Sequence, residues 1–406
     1  MSELPVVEVG PVAHGGHCVA RLDGQVVFVR HALPGERVRI EVTGRDKRFL
    51  RADAVEVLDA APGRVEPPCA LAGICGGCDF QHVSPTTQRE LLTSVVREQL
   101  SRLAGLTWDG EVEAVSPDDL GWRTRVQWAV TRDGRPGLRK HRSHDVVPVD
   151  HCPIAAPGLP DVTGQTWDDP SVEAIVSSTG QRLLVTDASI EDDTEADVVG
   201  VVANDGTLRG GLGHLTERVH DTDFRISGSG FWQVHPAAAT TLVDAVLEAA
   251  EVRPGDRVLD LYAGAGLFTV FLADATGPGG SVVSVEADPG GHRDAQTNTQ
   301  SRPNVELVRA TTEAALRRRE AGERADVVVL DPPRTGAKKA VADIAALGAR
   351  RVVYVACDPA ALARDLATFA DHGYALAGLR GFALFPMTHH VECVAVLVPS
   401  QPDASR

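Results

Sequence analysis

A thiol and two carboxyl groups in the C-terminal third of the chain lie where predicted strands begin or end. Cys357 follows the apolar run VVYVA and precedes a helix starting near Pro359, so the strand end and the helix N-terminus both favour its thiolate. A thiolate that adds to carbon 6 of uracil makes carbon 5 nucleophilic, and a base must later remove the carbon 5 proton. Glu392 begins the last predicted strand and is a candidate for that base, with His389 and His390 as rivals. Taken alone, Cys357 could equally be a small residue packed at a strand end.

A glycine-rich turn predicts a nucleotide-like cofactor. The segment DRVLDLYAGAGLF reads as a strand that passes through Gly264 and Gly266 into a helix beginning near Leu267. The next strand ends at Glu286, where a carboxylate can bind both hydroxyls of a ribose. This arrangement suits NAD and S-adenosylmethionine equally well.

The turn after the fourth strand of this region favours S-adenosylmethionine over NAD as the expected cofactor. Asp331 is followed by Pro332 and Pro333, which restrict the backbone where a transferring methyl group would lie. The pattern is typical of motif IV of adenosylmethionine-dependent methyltransferases and unusual in dehydrogenases. Arg334 stands where amino-group methyltransferases carry a stacking aromatic residue.

Four cysteines form a second candidate site. Cys69, Cys75 and Cys78 have the spacing C-x5-C-x2-C, and Cys152 is the next cysteine in the chain. Four thiolates can hold an iron-sulfur cluster or a structural zinc ion, and His82 or His151 could complete a zinc site. Spacing alone leaves both possibilities open, together with unligated thiols.

The predicted elements fall into three regions of an α/β protein. Residues 1–59 alternate apolar and polar positions between turn residues and predict an OB-like β-barrel. Residues 60–224 predict a mixed α+β domain with a helix over 85–106, expected to pack on the catalytic domain. Residues 225–406 alternate strands and helices and predict a Rossmann-like domain with a mostly parallel sheet.

Composition limits the protein class and its partners. The N-terminus resembles no secretory signal and no apolar run is long enough to span a membrane, so a soluble, cytoplasmic protein is expected. The net charge of −16 argues against a nonspecific nucleic-acid binder. Arg30–Arg51 and Arg123–Arg142 are nevertheless locally basic, and acidic residues cluster over Glu191–Asp197. We therefore expect RNA contacts at the two basic segments, or else ordinary solvated faces.

Together these motifs resemble the RNA 5-methyluridine methyltransferase family along the whole chain. The motifs are FWQVH, DLYAGAG, VEADP, DPPRTG, YVACDPAALARDL and FPMTHHVE. The resemblance implies that Cys357 attacks the base and Glu392 removes the proton. It also implies cofactor contacts from residues at the predicted turn and strand ends: Gln233, Tyr262, Gly264, Gly266, Glu286 and Asp331. His235 and Asp358 depart from the family pattern, since asparagine is usual at both positions.

The resemblance extends to the rest of the chain and to the substrate. It implies a TRAM domain at the N-terminus and a four-iron four-sulfur cluster on Cys69, Cys75, Cys78 and Cys152, with zinc as the alternative. Cluster-bearing relatives favour 23S ribosomal RNA as the substrate, and the T loop of transfer RNA is the alternative. No obligate protein partner is evident, and a monomer is expected. The rival from another class is a non-catalytic iron-sulfur protein that binds RNA.

Overall fold

The computed structural model describes residues 4–116, 118–190 and 198–400. Its N-terminal part is a β-rich domain whose five strands form one sheet with the order β1-β4-β5-β3-β2. Alternating apolar residues turn inward, and Val27, Val29, Val38 and Ile40 are fully buried. The strands are β1 (Val6–Glu8), β2 (Cys18–Leu22), β3 (Gln25–Arg30), β4 (Arg37–Arg45) and β5 (Phe49–Asp59).

The middle of the chain is mostly β-structure. One sheet has seven strands in the order β13-β12-β11-β10-β7-β8-β9, and β14 and β15 form a separate hairpin. The strands are β6 (Val112–Glu113), β7 (Arg125–Val130), β8 (Pro136–Arg139), β9 (Val146–Pro148), β10 (Ser171–Val176), β11 (Arg182–Val185), β12 (Gly200–Val202), β13 (Leu208–Gly211), β14 (His214–Val219) and β15 (Thr222–Ser227). The acidic cluster Glu191–Asp197 lies outside the described residues.

An eight-stranded sheet dominates the C-terminal part, with the order β18-β17-β16-β19-β20-β22-β21-β6. The first five strands in this order are parallel and β22 is antiparallel to β20, as in a Rossmann-like fold. β6 pairs with β21, so a segment from the middle of the chain completes the sheet. The remaining strands are β16 (Arg257–Leu261), β17 (Ser281–Glu286), β18 (Val305–Arg309), β19 (Val327–Leu330), β20 (Arg351–Ala356), β21 (Tyr374–Phe382) and β22 (Glu392–Pro399).

The helices begin and end at recognisable signals. The helices are α1 (Pro85–Ala104), α2 (Ala238–Ala250), α3 (Leu267–Thr276), α4 (Pro289–Thr299), α5 (Thr312–Arg317), α6 (Val341–Ala346) and α7 (Pro359–Asp371). The Ser84 side chain caps α1, and Gly105 ends it in a left-handed conformation (φ 66°). Helix α1 therefore stops two residues short of the predicted Leu106, and it packs against α7. Among the described helices, none is long and apolar enough to cross a membrane.

Candidate functional site

The sheet topology gathers three predicted site residues at one edge. Asp331 follows β19 and Cys357 follows β20, so both leave the carboxyl ends of neighbouring parallel strands. β22 runs the opposite way, with Cys393 paired to Ala356, so Glu392 lies at the same edge. Asp331, Cys357 and Glu392 line one cavity of about 820 Å³.

The same cavity combines basic and aromatic side chains. Arg123, Arg139 and Arg334 line it and are suited to phosphate groups. Phe231 also lines it and is 74% exposed, whereas Trp122 is only 3% exposed and packs its ring against other side chains of the wall. Exposed aromatic rings beside cations are typical of sites for unstacked bases. The cavity therefore has the composition expected of an RNA-binding site.

Burial controls the ionisation of the reacting groups. Desolvation, strengthened by the charges of Glu392 and Asp331, raises the pKa of Cys357 to about 11. Desolvation and Asp331 also raise the pKa of Glu392 well above its usual value, whereas the positive charge of Arg334 lowers the pKa of both groups. The thiolate stabilisation expected from the helix N-terminus is thus outweighed by burial and nearby carboxyl groups.

These shifts predict activity that increases with pH. The ionised thiol and carboxylate are the reactive forms, and both pKa values are raised, so the active fraction grows as the pH rises. We expect the single-turnover rate at saturating RNA to rise about tenfold per pH unit between roughly pH 6 and 8 from the thiol alone, and more steeply where Glu392 also titrates. Arg334→Met should move the profile to higher pH. A rate that is constant or falls over this range would contradict the assignment.

The candidate cofactor-binding residues lie at the carboxyl ends of the neighbouring strands β16 and β17. Gly264 and Gly266 follow β16 with positive φ angles of 55° and 85°, and α3 begins at the next residue. Glu286 ends β17 and accepts hydrogen bonds from the backbone N–H groups of Gly264 (2.7 Å) and Asp288 (2.6 Å). A Cβ atom built at Gly264 meets no atom within 4 Å, so open space lies over the turn. This cradle fits the nucleoside part of S-adenosylmethionine.

The two other candidate cofactor-binding residues, Tyr262 and Gln233, lie in different places. Tyr262 also has a positive φ angle (63°) directly after β16, a rare conformation for a bulky residue and typical of functional sites. Burial raises its pKa to about 12, which keeps the phenol protonated. Gln233 instead lines the cavity that holds Cys357 and Glu392. Asp331, another candidate cofactor-binding residue, lines the same cavity.

A buried arginine fixes the segment that carries Gln233. Arg125 is 8% exposed and donates hydrogen bonds to the carbonyl oxygens of Gly228 (2.7 Å) and Gly230. It also lies 3.5 Å from Glu173. Sequence reasoning placed Arg125 in a basic RNA-binding segment, but burial removes it from contact with RNA. Its role is to hold the loop before Phe231.

The rival histidines have different surroundings. The Nδ1 atom of His389 lies 2.6 Å from the carboxylate of Asp79. Burial alone would raise the pKa of Asp79. The hydrogen bond and charge of His389 outweigh that burial and lower the pKa of Asp79. His390 lines the cavity, and burial lowers its pKa to about 4. Sequence reasoning gave no sign of the Asp79–His389 pair, because 310 residues separate its members.

The four predicted metal-ligand cysteines lie near one another. The charges of Cys152 and Cys69 add to burial in raising the pKa of Cys75, and burial raises that of Cys78 to about 12. Backbone N–H of Gly77 donates to the Cys75 sulfur (3.4 Å), and the Gln81 side chain donates to that of Cys78 (3.3 Å). Across the described parts of the chain, however, no three Cys, His, Asp or Glu side chains converge closely enough to hold a metal ion.

Comparisons with known sequences identify two family segments. Residues 214–400 match the tRNA (uracil-5-)-methyltransferase family, and residues 6–55 match the TRAM domain. A Streptomyces avermitilis protein named as an RNA methyltransferase is 49% identical over 98% of this chain and 99% of its own. The 23S rRNA (uracil(1939)-C(5))-methyltransferase RlmD of Alkalilimnicola ehrlichii is 33% identical over 95% of this chain and 94% of its own.

A solved structure shares the fold over nearly the whole chain. The Pyrococcus abyssi tRNA (uracil-54, C5)-methyltransferase, in complex with S-adenosyl-L-homocysteine, superimposes with a TM-score of 0.72. The match covers 96% of this chain and 99% of that protein at 24% sequence identity. The predicted class I methyltransferase fold and the TRAM domain are thereby confirmed. The chain belongs to the RNA uracil-5-methyltransferase family, whose members use S-adenosylmethionine.

Proposed function

We propose that this protein methylates carbon 5 of a uridine in 23S ribosomal RNA, with Cys357 as nucleophile and Glu392 as general base. The observation that carries the proposal is the convergence of Cys357, Glu392 and Asp331 in one cavity. The choice of ribosomal RNA is supported by the 33% identity to RlmD over nearly the whole chain. Transfer RNA remains the second candidate because the fold also matches a transfer RNA enzyme.

The chemistry assigns one bond change to each residue. The Cys357 thiolate forms a bond from sulfur to carbon 6 of the uracil, and carbon 5 becomes enolate-like. Gln233, Tyr262, Gly264, Gly266, Glu286 and Asp331 would hold S-adenosylmethionine, which would supply the electrophilic methyl group. Glu392 then takes the proton from carbon 5, the carbon–sulfur bond breaks, and the double bond between carbons 5 and 6 is restored.

The remaining cavity residues serve substrate binding. A paired uridine hides the faces of its ring, so the base must be unpaired or flipped at a cost of about a few kcal/mol. Phe231 offers an exposed ring face for stacking. Arg123 and Arg139 are placed for phosphate contacts.

Nucleoside mass spectrometry of RNA from cells that lack the protein tests this proposal. Ribosomal and transfer RNA are incubated separately with the purified enzyme and S-adenosylmethionine. We expect new 5-methyluridine in 23S ribosomal RNA only. New 5-methyluridine in transfer RNA alone would select the second substrate, and none in either pool would select the non-catalytic RNA-binding protein.

We further propose that Cys69, Cys75, Cys78 and Cys152 hold a four-iron four-sulfur cluster, with zinc as the alternative. Among the described residues no three such side chains are close enough together to hold a metal ion, so the support comes from the electrostatic influence of Cys69 and Cys152 on Cys75 and from the N–H donors aimed at two sulfurs. Cys78 precedes Asp79, a residue of the cavity wall, so a cluster bound by these cysteines would stabilise that wall. Methyl transfer requires no electrons from it. The proposal also includes a monomeric state, a cytoplasmic location and a division of the chain into three domains at residues 1–59, 60–224 and 225–406.

The cluster assignment predicts a loss of metal and of stability in Cys75→Ala. Anaerobically purified protein should contain about four iron atoms per chain and absorb visible light. Cys75→Ala should lose both properties and melt several degrees lower, because metal binding contributes directly to folding. Cys18→Ala, a change of a buried cysteine in the N-terminal domain, is the matched control and should retain the iron. One zinc ion per chain would select the alternative, and metal-free wild-type protein would refute both.

A further inference from the structure

A tight turn of the N-terminal domain reaches the catalytic edge. Residues 13–17 form a turn directly before β2, and the Ala13 N–H donates to the carbonyl oxygen of His17 (2.7 Å). The Gly16 N–H donates back to Ala13 (3.1 Å), and Gly15 and Gly16 have positive φ angles of 93° and 77°. Two glycines let the chain fold sharply, so this turn is a fixed structure rather than a loose connection.

The tip of the turn contacts the residue next to the proposed nucleophile. The Nε2 atom of His14 lies 2.9 Å from an Oδ2 atom of Asp358, which directly follows Cys357. The other carboxyl oxygen of Asp358 accepts the Ala361 N–H (2.7 Å) and caps α7. One carboxylate thus joins the catalytic helix to the N-terminal domain.

The rest of the turn is fitted against two other parts of the cavity. A Cβ atom at Gly16 would lie 2.8 Å from that of His389, so the backbone of the turn packs directly on this histidine. His17 makes edge contacts with Phe28 of the N-terminal domain (6.4 Å between ring centroids) and with His141 of the cavity wall (5.9 Å). The turn is therefore held from both sides and can transmit its position to Asp358.

We propose that His14 is a positioning residue for methyl transfer, through which the TRAM domain completes the catalytic site. Its bond to Asp358 fixes the segment that carries Cys357, and thereby the distance from the sulfur to carbon 6 of the uracil. Displacing a reacting group by about 1 Å can cost on the order of 100-fold in rate. The proposal rests on the proposed role of Cys357 and adds a residue 344 positions away in sequence.

Two substitutions of His14 by amide side chains of different length test this proposal. The side chain of His14→Gln can still donate to Asp358, whereas that of His14→Asn is one methylene shorter and cannot reach it. At saturating RNA and cofactor, we expect His14→Asn to lower the single-turnover rate about tenfold. His14→Gln should stay within about threefold of wild type, and RNA dissociation constants should change less than about twofold for both. His220→Ala, which breaks an exposed histidine–aspartate contact to Asp244 (2.8 Å), should keep the wild-type rate.

Coupling between the two residues provides the second test. In an Asp358→Ala background, His14→Asn should cause no further loss of rate, because its partner is already absent. The proposal is overturned by equal rates for His14→Asn and His14→Gln, by additive losses with Asp358→Ala, or by a loss confined to RNA affinity. Failure of the proposed function gives a different result, since the wild-type enzyme would then form no 5-methyluridine.

Discussion

Cys357→Ala is expected to abolish 5-methyluridine formation while leaving RNA and cofactor binding within about threefold of wild type. Removal of a covalent nucleophile typically lowers the rate by about 10⁴-fold or more, because the remaining groups cannot supply the missing bond. Cys357 is half-buried beside a helix start, and alanine fits in its place without a clash. Single-turnover methylation, followed by transfer of a radioactive methyl group to RNA, measures the loss.

The control for this variant is another cysteine. Cys18 is buried in the N-terminal domain, where its thiol donates to the carbonyl oxygen of Ala32 (3.2 Å), so Cys18→Ala changes a cysteine outside the site. Its methylation rate should remain within about twofold of wild type. RNA containing 5-fluorouridine adds an independent readout, because fluorine replaces the proton that must leave. Wild-type enzyme should form a denaturation-resistant adduct on this RNA, and Cys357→Ala should not. Methylation by Cys357→Ala above about a tenth of the wild-type rate would refute the assignment.

The parallel-sheet rule explains why the catalytic edge could be predicted from sequence. Apolar runs followed by glycine, aspartate or cysteine predict strand ends, and parallel strands present these ends at one edge. Asp331 and Cys357 came together for this reason. Glu392 required the additional inference that it begins the last strand, and the antiparallel pairing of Ala356 with Cys393 places it as needed.

Contacts between distant segments left no comparable pattern in the sequence. His14 and Asp358 are 344 residues apart, and Asp79 and His389 are 310 apart. Such pairs depend on how domains dock, which hydrophobic periodicity within a strand or helix does not encode. Arg125 shows the converse error. Its basic sequence neighbours predicted an exposed side chain that contacts RNA, but the side chain is buried. Local sequence therefore predicted where the proposed reacting groups lie better than the contacts that hold them.

Glu392→Gln is expected to leave the enzyme attached to its RNA. The first two bond changes need only the thiolate and the methyl donor, whereas release of Cys357 needs a base for the carbon 5 proton. We expect the overall rate to fall by about 10²- to 10⁴-fold and a methylated, covalent enzyme–RNA adduct to accumulate. Denaturing gel electrophoresis with labelled RNA detects the adduct, and mass spectrometry of its nuclease digest detects the added methyl group.

The ionisation of Glu392 makes this variant a sharp test. Glu392 is 4% exposed, and burial raises its pKa well above that of an exposed glutamate. Glutamine closely matches neutral glutamic acid in shape and charge. We therefore expect the free energy of unfolding of the variant to be at least that of the wild type. His390→Asn is the comparison, because burial lowers the pKa of His390 to about 4 and makes it a weak base. Adduct accumulation in His390→Asn instead of Glu392→Gln would transfer the role to the histidine.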